Sequence, residues 1–274
     1  MSTPLVSGII TTHNRADLLP RALDSVINQT YPNMEVVVVD DGSVDETPQV
    51  MQRYQKEHSI KYIRLEESHG PGKARNKGIE EASGIFIAGL DDDDVWHEER
   101  ISEMVEAYSD DYAFVTSDNE MVYPKKSVVW KKKNKIDLDT LLYTNQVGNQ
   151  ILAKRDRLLE VGGFDASLIA AVEDYDLWIR LCKAFGPIRN VQKPLQTIYM
   201  DHEEGRVTDK AFKGFLQFYN KHKPLMNTKQ RAYQLYKIRR AQGKSVTLKE
   251  FLFRVPPFRM AKELKHMIIN RLWK

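Results

Sequence analysis

The sequence has almost no cysteine: Cys182 is the only one among 274 residues. A single thiol excludes an intramolecular disulfide, and its place in an amphipathic helical pattern predicts a core thiol in a reducing compartment. The chain also lacks an apolar run of about 18 residues and an N-terminal basic segment followed by an apolar one. We therefore expect neither a membrane span nor a signal peptide, and we predict a cytoplasmic protein.

The sequence also has no internal repeat and no low-complexity linker. Four scattered histidines, His13, His58, His69 and His97, show no spacing typical of metal ligands, so surface or packing roles are predicted for them. A hydrophobic content of 42% and a charged content of 29% are typical of a soluble globular protein. The length is sufficient for one large α/β domain with a tail, or for two small domains.

The net charge of +3 hides a strong asymmetry along the chain. Residues 221–274 contain 15 Lys and Arg but only 2 Asp and Glu, whereas the preceding residues contain 26 and 36. In residues 250–274 these cations interleave with apolar side chains, which predicts a helical segment. Such a segment can lie on an anionic membrane surface, or it can pack on the preceding domain with its basic face in water. The acidic main part argues against nucleic-acid binding.

Apolar runs alternate with helical patterns in the first part of the chain. We predict strands at residues 5–12, 35–40, 60–65 and 85–90, with helices between them. Asn14 is a candidate cap for the first helix, and Ser43 with Glu46 is a candidate capping box for the second. The alternation predicts a mainly parallel sheet flanked by helices, with right-handed crossovers.

The pattern changes after residue 118. Residues 122–135 indicate an edge hairpin, and their lysines are expected in water or facing an anionic acceptor. Residues 150–154 and 195–199 read as further strands, and Gly162 with Gly163 ends a short helix. An amphipathic helix is predicted to begin at Glu173.

Four consecutive carboxylates, Asp91 to Asp94, follow the apolar segment 85–90. This run stands at the carboxyl end of a predicted strand, where open α/β sheets bind their ligands. In an extended segment Asp91 and Asp93 would project to the same side. Two oxygen ligands so placed suit Mg²⁺ or Mn²⁺, with other positions left for water and phosphate. The run therefore predicts a metal-assisted diphosphate site.

Two further acidic clusters accompany this run. Asp40 and Asp41 end another predicted strand, so they should lie at the same edge of the sheet, where Asp41 can accept hydrogen bonds from a nucleoside. Glu173, Asp174 and Asp176 open a helix, and Asp174 could act as the general base toward an acceptor hydroxyl. The favourable interaction of acids with a helix N-terminus is the alternative explanation for this third cluster.

These residues resemble the inverting glycosyltransferases of family 2, which have the GT-A fold. The resemblance extends over about residues 4–208. It is carried by six segments in a characteristic order, namely VSGIITTHNR (6–15), SVINQTY (25–31), VVDDGSVD (38–45), ARNKG (74–78), LDDDDVW (90–96) and EDYDLW (173–178).

The resemblance implies a Rossmann-like catalytic domain at 1–208, with a nucleotide-sugar half at 1–118 and an acceptor half at 119–208, followed by a basic helical extension at 209–274. It also implies a nucleoside-diphosphate-sugar donor. The substrate-binding residues that it implies are Thr11, Asn14, Arg15, Asp41, Arg75, Asp91, Asp92, Glu173 and Arg206.

Individual roles follow from the same resemblance. Asp41 is expected to contact the base, and either Asp91 or Asp92 the ribose. Asp93 would ligate Mn²⁺ or Mg²⁺, with His202 close to the metal and the diphosphate. Asp174 would be the catalytic base.

The resulting hypothesis is a metal-dependent inverting glycosyltransferase that uses a UDP-sugar and extends a lipid-linked saccharide in surface-polysaccharide synthesis, on the inner face of the cell membrane. One alternative is a sugar-phosphate nucleotidyltransferase, although the glycine-rich basic loop expected after the first strand is missing at residues 11–14. The other alternative is a non-catalytic metal- or nucleotide-binding regulatory module, which would leave Glu173 and Asp174 unexplained.

Overall fold

A computed structural model describes residues 3–169, 172–200 and 211–272. These residues belong to two units. The first unit contains residues 3–141, 145–167 and 173–200, and the second contains residues 142–144, 168–169, 172 and 211–272.

Ten strands of the described chain form one sheet. In chain order they are β1 (Val6–Thr12), β2 (Met34–Asp40), β3 (Ile60–Arg64), β4 (Phe86–Asp91), β5 (Val95–Trp96), β6 (Val115–Tyr123), β7 (Lys126–Trp130), β8 (Lys135–Ile136), β9 (Leu152–Lys154) and β10 (Ile188–Tyr199). Their spatial order is β3-β2-β1-β4-β9-β6-β10-β5, with β7 beside β6 and β8 beside β10.

The helices between and after these strands are, in order, α1 (Leu19–Ile27), α2 (Thr47–Glu57), α3 (Pro71–Glu81), α4 (Arg100–Glu106), α5 (Leu138–Tyr143), α6 (Arg155–Glu160), α7 (Glu173–Phe185), α8 (Ala211–His222), α9 (Thr228–Ala241), α10 (Leu248–Arg254) and α11 (Pro257–Leu272).

The first half of the sheet is parallel, as predicted. β3, β2, β1 and β4 all run in one direction. Val37, Val38 and Val39 on β2 are fully buried because helices cover both faces of a parallel sheet. The direction reverses at β9, which is antiparallel to β4 and to β6. The carboxyl end of β4 and the segment that enters β9 therefore meet at one edge.

The main core lies between this sheet and the helices. On α1, Leu19, Ala22, Leu23 and Val26 are buried on one face at helical spacing. Each Leu or Val side chain buried in this way contributes about 1.5–3 kcal/mol. The helix predicted between the first two strands is therefore confirmed, and it buries one apolar face.

Both predicted helix caps are wrong. Asn14 adopts a left-handed conformation with φ of 54°, and its Oδ1 accepts from Val44 N at 2.8 Å. Ser43 Oγ accepts from Asn14 N at 2.9 Å. The two side chains tie the loop after β1 to the loop after β2 instead of capping helices, and α1 and α2 begin later with a proline in the first turn.

The edge hairpin is confirmed as β6 and β7, but the prediction of a solvated position is wrong for Lys132. Its Nζ donates to Ser117 O at 2.5 Å and to Asn119 Oδ1 at 3.0 Å. Burial lowers the pKa of Lys132 well below its ordinary value, and nearby Arg100 adds to this effect. The lysine is part of the interior of the unit because β6 supplies acceptors for all of its donors.

The second unit is helical, and its core contains Tyr233, Tyr236, Phe251 and Val255. The buried Glu263 carboxylate accepts from Tyr233 and Arg240. Apolar side chains of α10 and α11 remain in contact with water, among them Leu248, Leu252, Phe253 and Phe258. In the described part of the chain, no helix combines the length and the apolar character needed to cross a bilayer.

Candidate active site

The predicted site residues of the first unit come together at the carboxyl ends of β1, β2 and β4. Thr11 on β1 is opposite Asp91 on β4, and Thr12 is opposite Asp40 on β2. The N-terminus of α7 brings Glu173 to the same place, because Arg75 on α3 bonds both Glu173 and Asp91. The sheet edge and two helix starts therefore form one site.

The acidic run is a turn, which corrects the extended geometry assumed from the sequence. Asp94 N donates to Asp91 O at 3.1 Å, so the chain folds back within the run. Carboxylate oxygens of Asp91, Asp93 and Asp94 lie within 4.8 Å of one another. Three carboxylates at this spacing fit a hard cation such as Mg²⁺ or Mn²⁺.

Arg15 forms ion pairs with the two central carboxylates of the acidic run. Its Nη1 lies 3.0 Å from Asp92 Oδ1 and 2.6 Å from Asp93 Oδ2. Burial raises the pKa of Asp92 to about 6, and Arg15 opposes this effect. Asp92 is 5% exposed and Asp93 is more accessible, so the two neighbours differ in their access to a ligand.

Asp91 lies between a guanidinium and an amide. Arg75 Nη2 is 2.9 Å from Asp91 Oδ1, and Asn149 Nδ2 donates to Asp91 Oδ2. Arg75 Nη1 also donates to Glu173 Oε1 at 3.1 Å. Burial lowers the pKa of Arg75, but Asp91 and Glu173 more than offset this, and the pKa lies above its ordinary value. Arg75 is therefore a permanent cation that joins β4 to α7.

Asp94 faces inward. Its Oδ2 accepts from Gln150 Nε2 at 2.7 Å, and its Oδ1 accepts from Tyr199 N at 3.3 Å. Burial raises the pKa of Asp94 well above its ordinary value, and Asp91 and Asp93 raise it further. These bonds connect the acidic run to β10 and to the segment that enters β9.

The acidic residues at the start of α7 lie in different environments. Asp176 is buried and pairs with Arg180 at 2.7 Å, which is a packing role. Asp174 is partly accessible, and burial raises its pKa to about 8, with Glu173 acting in the same direction and Arg75 in the opposite one. A carboxyl group with this pKa can exchange a proton near neutral pH.

Asp41 organises the loop that leads into α3. Its carboxylate accepts from Ser68 Oγ at 2.7 Å and from the backbone N–H groups of His69 and Gly70 at 2.8 Å. Gly70 has φ of 89°, a conformation that favours glycine. Asp41 thus positions the helix that carries Arg75, and its contact with a nucleoside base stays a prediction.

A small cleft of about 40 Å³ lies beside these groups. Its polar lining consists of Thr11, Arg75, Asp91 and Asn149, and the rest of its lining is apolar. His202 and Arg206, predicted near the diphosphate, lie outside the described residues. The roles of all the predicted site residues stay predictions, although those in the described ranges line one edge of the sheet.

The amide side chains of the site could not be identified from the sequence. Asn149 and Gln150 contact Asp91 and Asp94, and Asn76 exchanges two hydrogen bonds with the backbone of Phe164, at 2.7 and 2.8 Å. The only signal for the first two was the amide-rich stretch TNQVGNQ at 144–150. Amides have no periodicity that separates a site from an ordinary loop.

Comparisons with curated proteins give two informative relatives. "Putative colanic acid biosynthesis glycosyl transferase WcaA" of Escherichia coli is 30% identical over 266 residues, which cover 92% of this chain and 93% of the relative. "GalNAc(5)-diNAcBac-PP-undecaprenol beta-1,3-glucosyltransferase" of Campylobacter jejuni is 38% identical over 114 residues, which cover 41% of this chain and 37% of that one.

Two solved structures are similar in fold. Staphylococcus aureus TarS 1-349 in complex with UDP-GlcNAc has a TM-score of 0.62 and 21% identity, covering 91% of this chain and 83% of that one. The mannosyltransferase PcManGT of Pyrobaculum calidifontis, in complex with GDP-Man and Mn²⁺, has a TM-score of 0.64 and 19% identity, covering 100% and 82%. The fold is therefore GT-A, as the resemblance implied.

The family models agree with these comparisons. The model described as "Glycosyl transferase family 2" matches residues 7–171, and "Glycosyltransferase like family 2" matches residues 111–250. The first match contains the acidic run, Arg15 and Arg75. The chain belongs to glycosyltransferase family 2.

Proposed function

We propose that this chain is a metal-dependent inverting glycosyltransferase that moves a sugar from a nucleoside-diphosphate sugar to a hydroxyl group of a saccharide. The observation that carries the proposal is the bridge made by Arg75, which bonds Asp91 and Glu173 at the same time. It joins the acidic run expected to hold the donor to the helix that carries Asp174. One site thus combines a cationic group, a cation-binding run and a base.

In this reaction Asp174 accepts the proton of the acceptor hydroxyl. The acceptor oxygen forms a bond to the anomeric carbon from the face opposite the diphosphate, while the bond from that carbon to the diphosphate oxygen breaks. One displacement inverts the configuration and needs no covalent sugar intermediate. Arg75 is placed to offset negative charge near the leaving diphosphate.

Asp91, Asp93 and Asp94 would hold Mn²⁺ or Mg²⁺ because their oxygens lie close enough to share one ion. A bound divalent cation would neutralise charge on the leaving diphosphate. Asp93 has the clearest role, since it is more accessible than Asp92 and does not bond to the protein interior as Asp94 does. The expected donor is a UDP-sugar, which is supported by the UDP-GlcNAc bound to the structurally similar TarS.

The proposed acceptor is a lipid-linked saccharide in surface-polysaccharide synthesis. This part rests on the names of the relatives, one of which refers to colanic acid and one to an undecaprenol-linked substrate. A protein with such an acceptor works at a membrane surface. Residues 250–274 would provide peripheral contact with the anionic inner face, because α10 and α11 expose apolar side chains among basic ones.

The test measures binding and turnover separately. The full chain is incubated with UDP-glucose, UDP-galactose, UDP-N-acetylglucosamine or GDP-mannose, with Mn²⁺ or with EDTA, and thermal stability and release of nucleoside diphosphate are recorded. We expect one donor to stabilise the chain only with the metal. Asp93→Asn should abolish that stabilisation, and Asp174→Asn should keep it while losing turnover.

The matched control is Asp111→Asn, which changes an exposed carboxyl group in the loop before β6. Binding without turnover in the wild type would favour the regulatory module. Turnover in EDTA equal to that in Mn²⁺ would contradict metal dependence. NMR of the transferred sugar distinguishes inversion from retention of the anomeric configuration.

A further inference from the structure

One short segment brings side-chain amides to three separate acids of the site. Residues 145–150, which we call the amide loop, lie just before β9. Asn149 contacts Asp91, Gln150 contacts Asp94 and Asn145 approaches Asp174. We propose that the amide loop is the positioning element of the site, with Asn149 fixing Asp91 for the donor and Asn145 orienting Asp174 as the base. This assignment rests on the proposed function.

Gln150 anchors the loop. Trp96 Nε1 can only donate, so the Gln150 oxygen faces it, at 3.0 Å. The Gln150 amide nitrogen must then face Asp94, and it donates to Oδ2 at 2.7 Å. Gln150 is 1% exposed and Asp94 is 2% exposed. A buried amide with both ends bonded is costly to reorient, so the end of the loop has one position.

Asn149 completes the surroundings of Asp91. Arg75 bonds one oxygen of that carboxylate and Asn149 donates to the other. A carboxylate held at both oxygens loses its freedom to rotate before a ligand arrives. Asn149 also lines the cleft beside Arg75 and Thr11. Loss of the amide should therefore weaken donor binding and leave the base untouched.

Asn145 acts at the other end of the loop. Its Oδ1 accepts from Val147 N at 2.9 Å and from Gly148 N at 3.3 Å, which turns its Nδ2 toward Asp174 Oδ2, at 3.5 Å. Gly148 O accepts from Trp178 Nε1 at 2.8 Å. The loop is thus fastened to the same helix, α7, that carries Asp174.

Asp174 faces charged groups from each element around it: Glu173 on its own helix, Arg75 on α3 and Asp91 on β4. Asn145 adds a neutral donor that favours the ionised carboxylate. Its removal should raise the pH at which Asp174 loses its proton. Donor binding should stay unchanged because Asn145 does not contact the acidic run.

The experiment compares Asn149→Ala and Asn145→Ala in the full chain, with Gln146→Ala as the matched control. Gln146 lies in the same loop and is only partly buried. Binding of UDP with Mn²⁺ is measured by calorimetry, and the pH profile of UDP-sugar hydrolysis is measured separately. We expect about tenfold weaker UDP binding for Asn149→Ala with an unchanged pH midpoint. Asn145→Ala should raise the pH midpoint of hydrolysis and leave UDP binding unchanged. Gln146→Ala should change neither UDP binding nor the pH midpoint.

The isosteric variants Asn149→Asp and Asn145→Asp keep the side-chain shape if the alanine variants fail to fold, and they place a second carboxylate opposite the first. Asn145→Asp should raise the pH midpoint further. For Asn149→Asp, UDP binding is also measured without Mn²⁺, where the added negative charge should weaken it further. Equal changes in both properties for both variants, or no change in either, would overturn the positioning role. Absence of UDP binding by the wild type would overturn the proposed function and this assignment together, which is a different result.

Discussion

Arg15 and Asp93 form an ion pair, with Arg15 Nη1 at 2.6 Å from Asp93 Oδ2. The same carboxylate is one of the three whose oxygens lie close enough to share a cation. A guanidinium and a divalent cation would therefore compete for Asp93. Replacing Arg15 should make the acidic run more attractive to a metal ion alone.

Arg15→Gln should raise the affinity for Mn²⁺, in the absence of nucleotide, by about three- to tenfold, because a positive charge beside the site is removed. Calorimetry or Mn²⁺ electron paramagnetic resonance measures this directly. Arg53→Gln, which removes an exposed charge on α2, is the control. An unchanged or weaker affinity in Arg15→Gln would show that the pair does not oppose the metal.

Asp174→Asn should stabilise the protein at neutral pH. The native state keeps the Asp174 proton up to about pH 8, because its pKa is raised to about 8, whereas the unfolded chain releases it near the ordinary value of 3.8. Native stability therefore falls as the pH rises between these values, and the asparagine variant lacks this loss. A pKa difference of about four corresponds to at most about 5 kcal/mol, so we expect a gain of a few kcal/mol at pH 8, each kcal/mol raising the midpoint of thermal unfolding by roughly 2–4 °C.

Differential scanning calorimetry at several pH values checks this prediction. The difference in unfolding midpoint between Asp174→Asn and the wild type should be small at pH 4 and should grow toward pH 8. Asp111→Asn is measured in parallel as the control. A difference that is constant over this range would mean that Asp174 ionises normally in the folded protein.

Two glycines near the sheet should respond in opposite ways to alanine. A Cβ at Gly89, which lines the cleft, would meet no heavy atom within 4 Å, whereas a Cβ at Gly84 would lie 2.7 Å from Ser7 N. Gly89→Ala should stabilise the chain by about 0.5–1 kcal/mol through reduced entropy of the unfolded state. Gly84→Ala should destabilise it by about 1–3 kcal/mol because backbone must move. Urea denaturation measures both, and equal effects would contradict the geometry.

The exposed apolar side chains of α10 should determine membrane contact. Phe253 is 82% exposed and Leu252 is 57% exposed. The double variant Leu252→Glu with Phe253→Glu should reduce co-sedimentation with phosphatidylglycerol-containing vesicles at least about tenfold, because each buried apolar side chain contributes about 1.5–3 kcal/mol. Added salt should also weaken the binding of the wild type to these vesicles.

Leu235→Glu serves as the control, since Leu235 is an exposed apolar residue on α9. Equal binding of the wild type and the double variant would exclude a role for α10 at the membrane. If the wild type bound purely zwitterionic vesicles with the same affinity, an electrostatic contribution to membrane binding would be excluded.

The parallel half of the fold could be predicted because its strands are continuous apolar runs that end in acids. Residues Val36 to Val39 and the carboxylates Asp40 and Asp41 show this pattern directly. In the second half, strands at 150–154 and 195–199 and the edge hairpin could be predicted, but the pairing of the strands could not be, because β9 has only three residues and β10 changes register near Pro194. Short or bulged strands have too few alternating positions to indicate their partners.

In the site, the sequence indicated the acids but not what each acid contacts. Four adjacent carboxylates look equivalent in the sequence, yet Asp93 faces Arg15 and Asp94 faces Gln150. This division depends on a turn inside the run and on residues about 56 to 78 positions away. The burial of Lys132 could not be predicted for the same reason, because it depends on acceptors from a neighbouring strand.

The reversal of strand direction between β4 and β9 has a consequence for the synthesis of the chain. One edge of β4 pairs with β1, which is synthesised first, and the other pairs with Leu152–Lys154, which is synthesised more than sixty residues later. During that interval Phe86, Ile87 and Ala88 belong to an unprotected edge strand, which other chains can extend. A nascent chain that is arrested before β9 would therefore expose this strand edge to association with other chains.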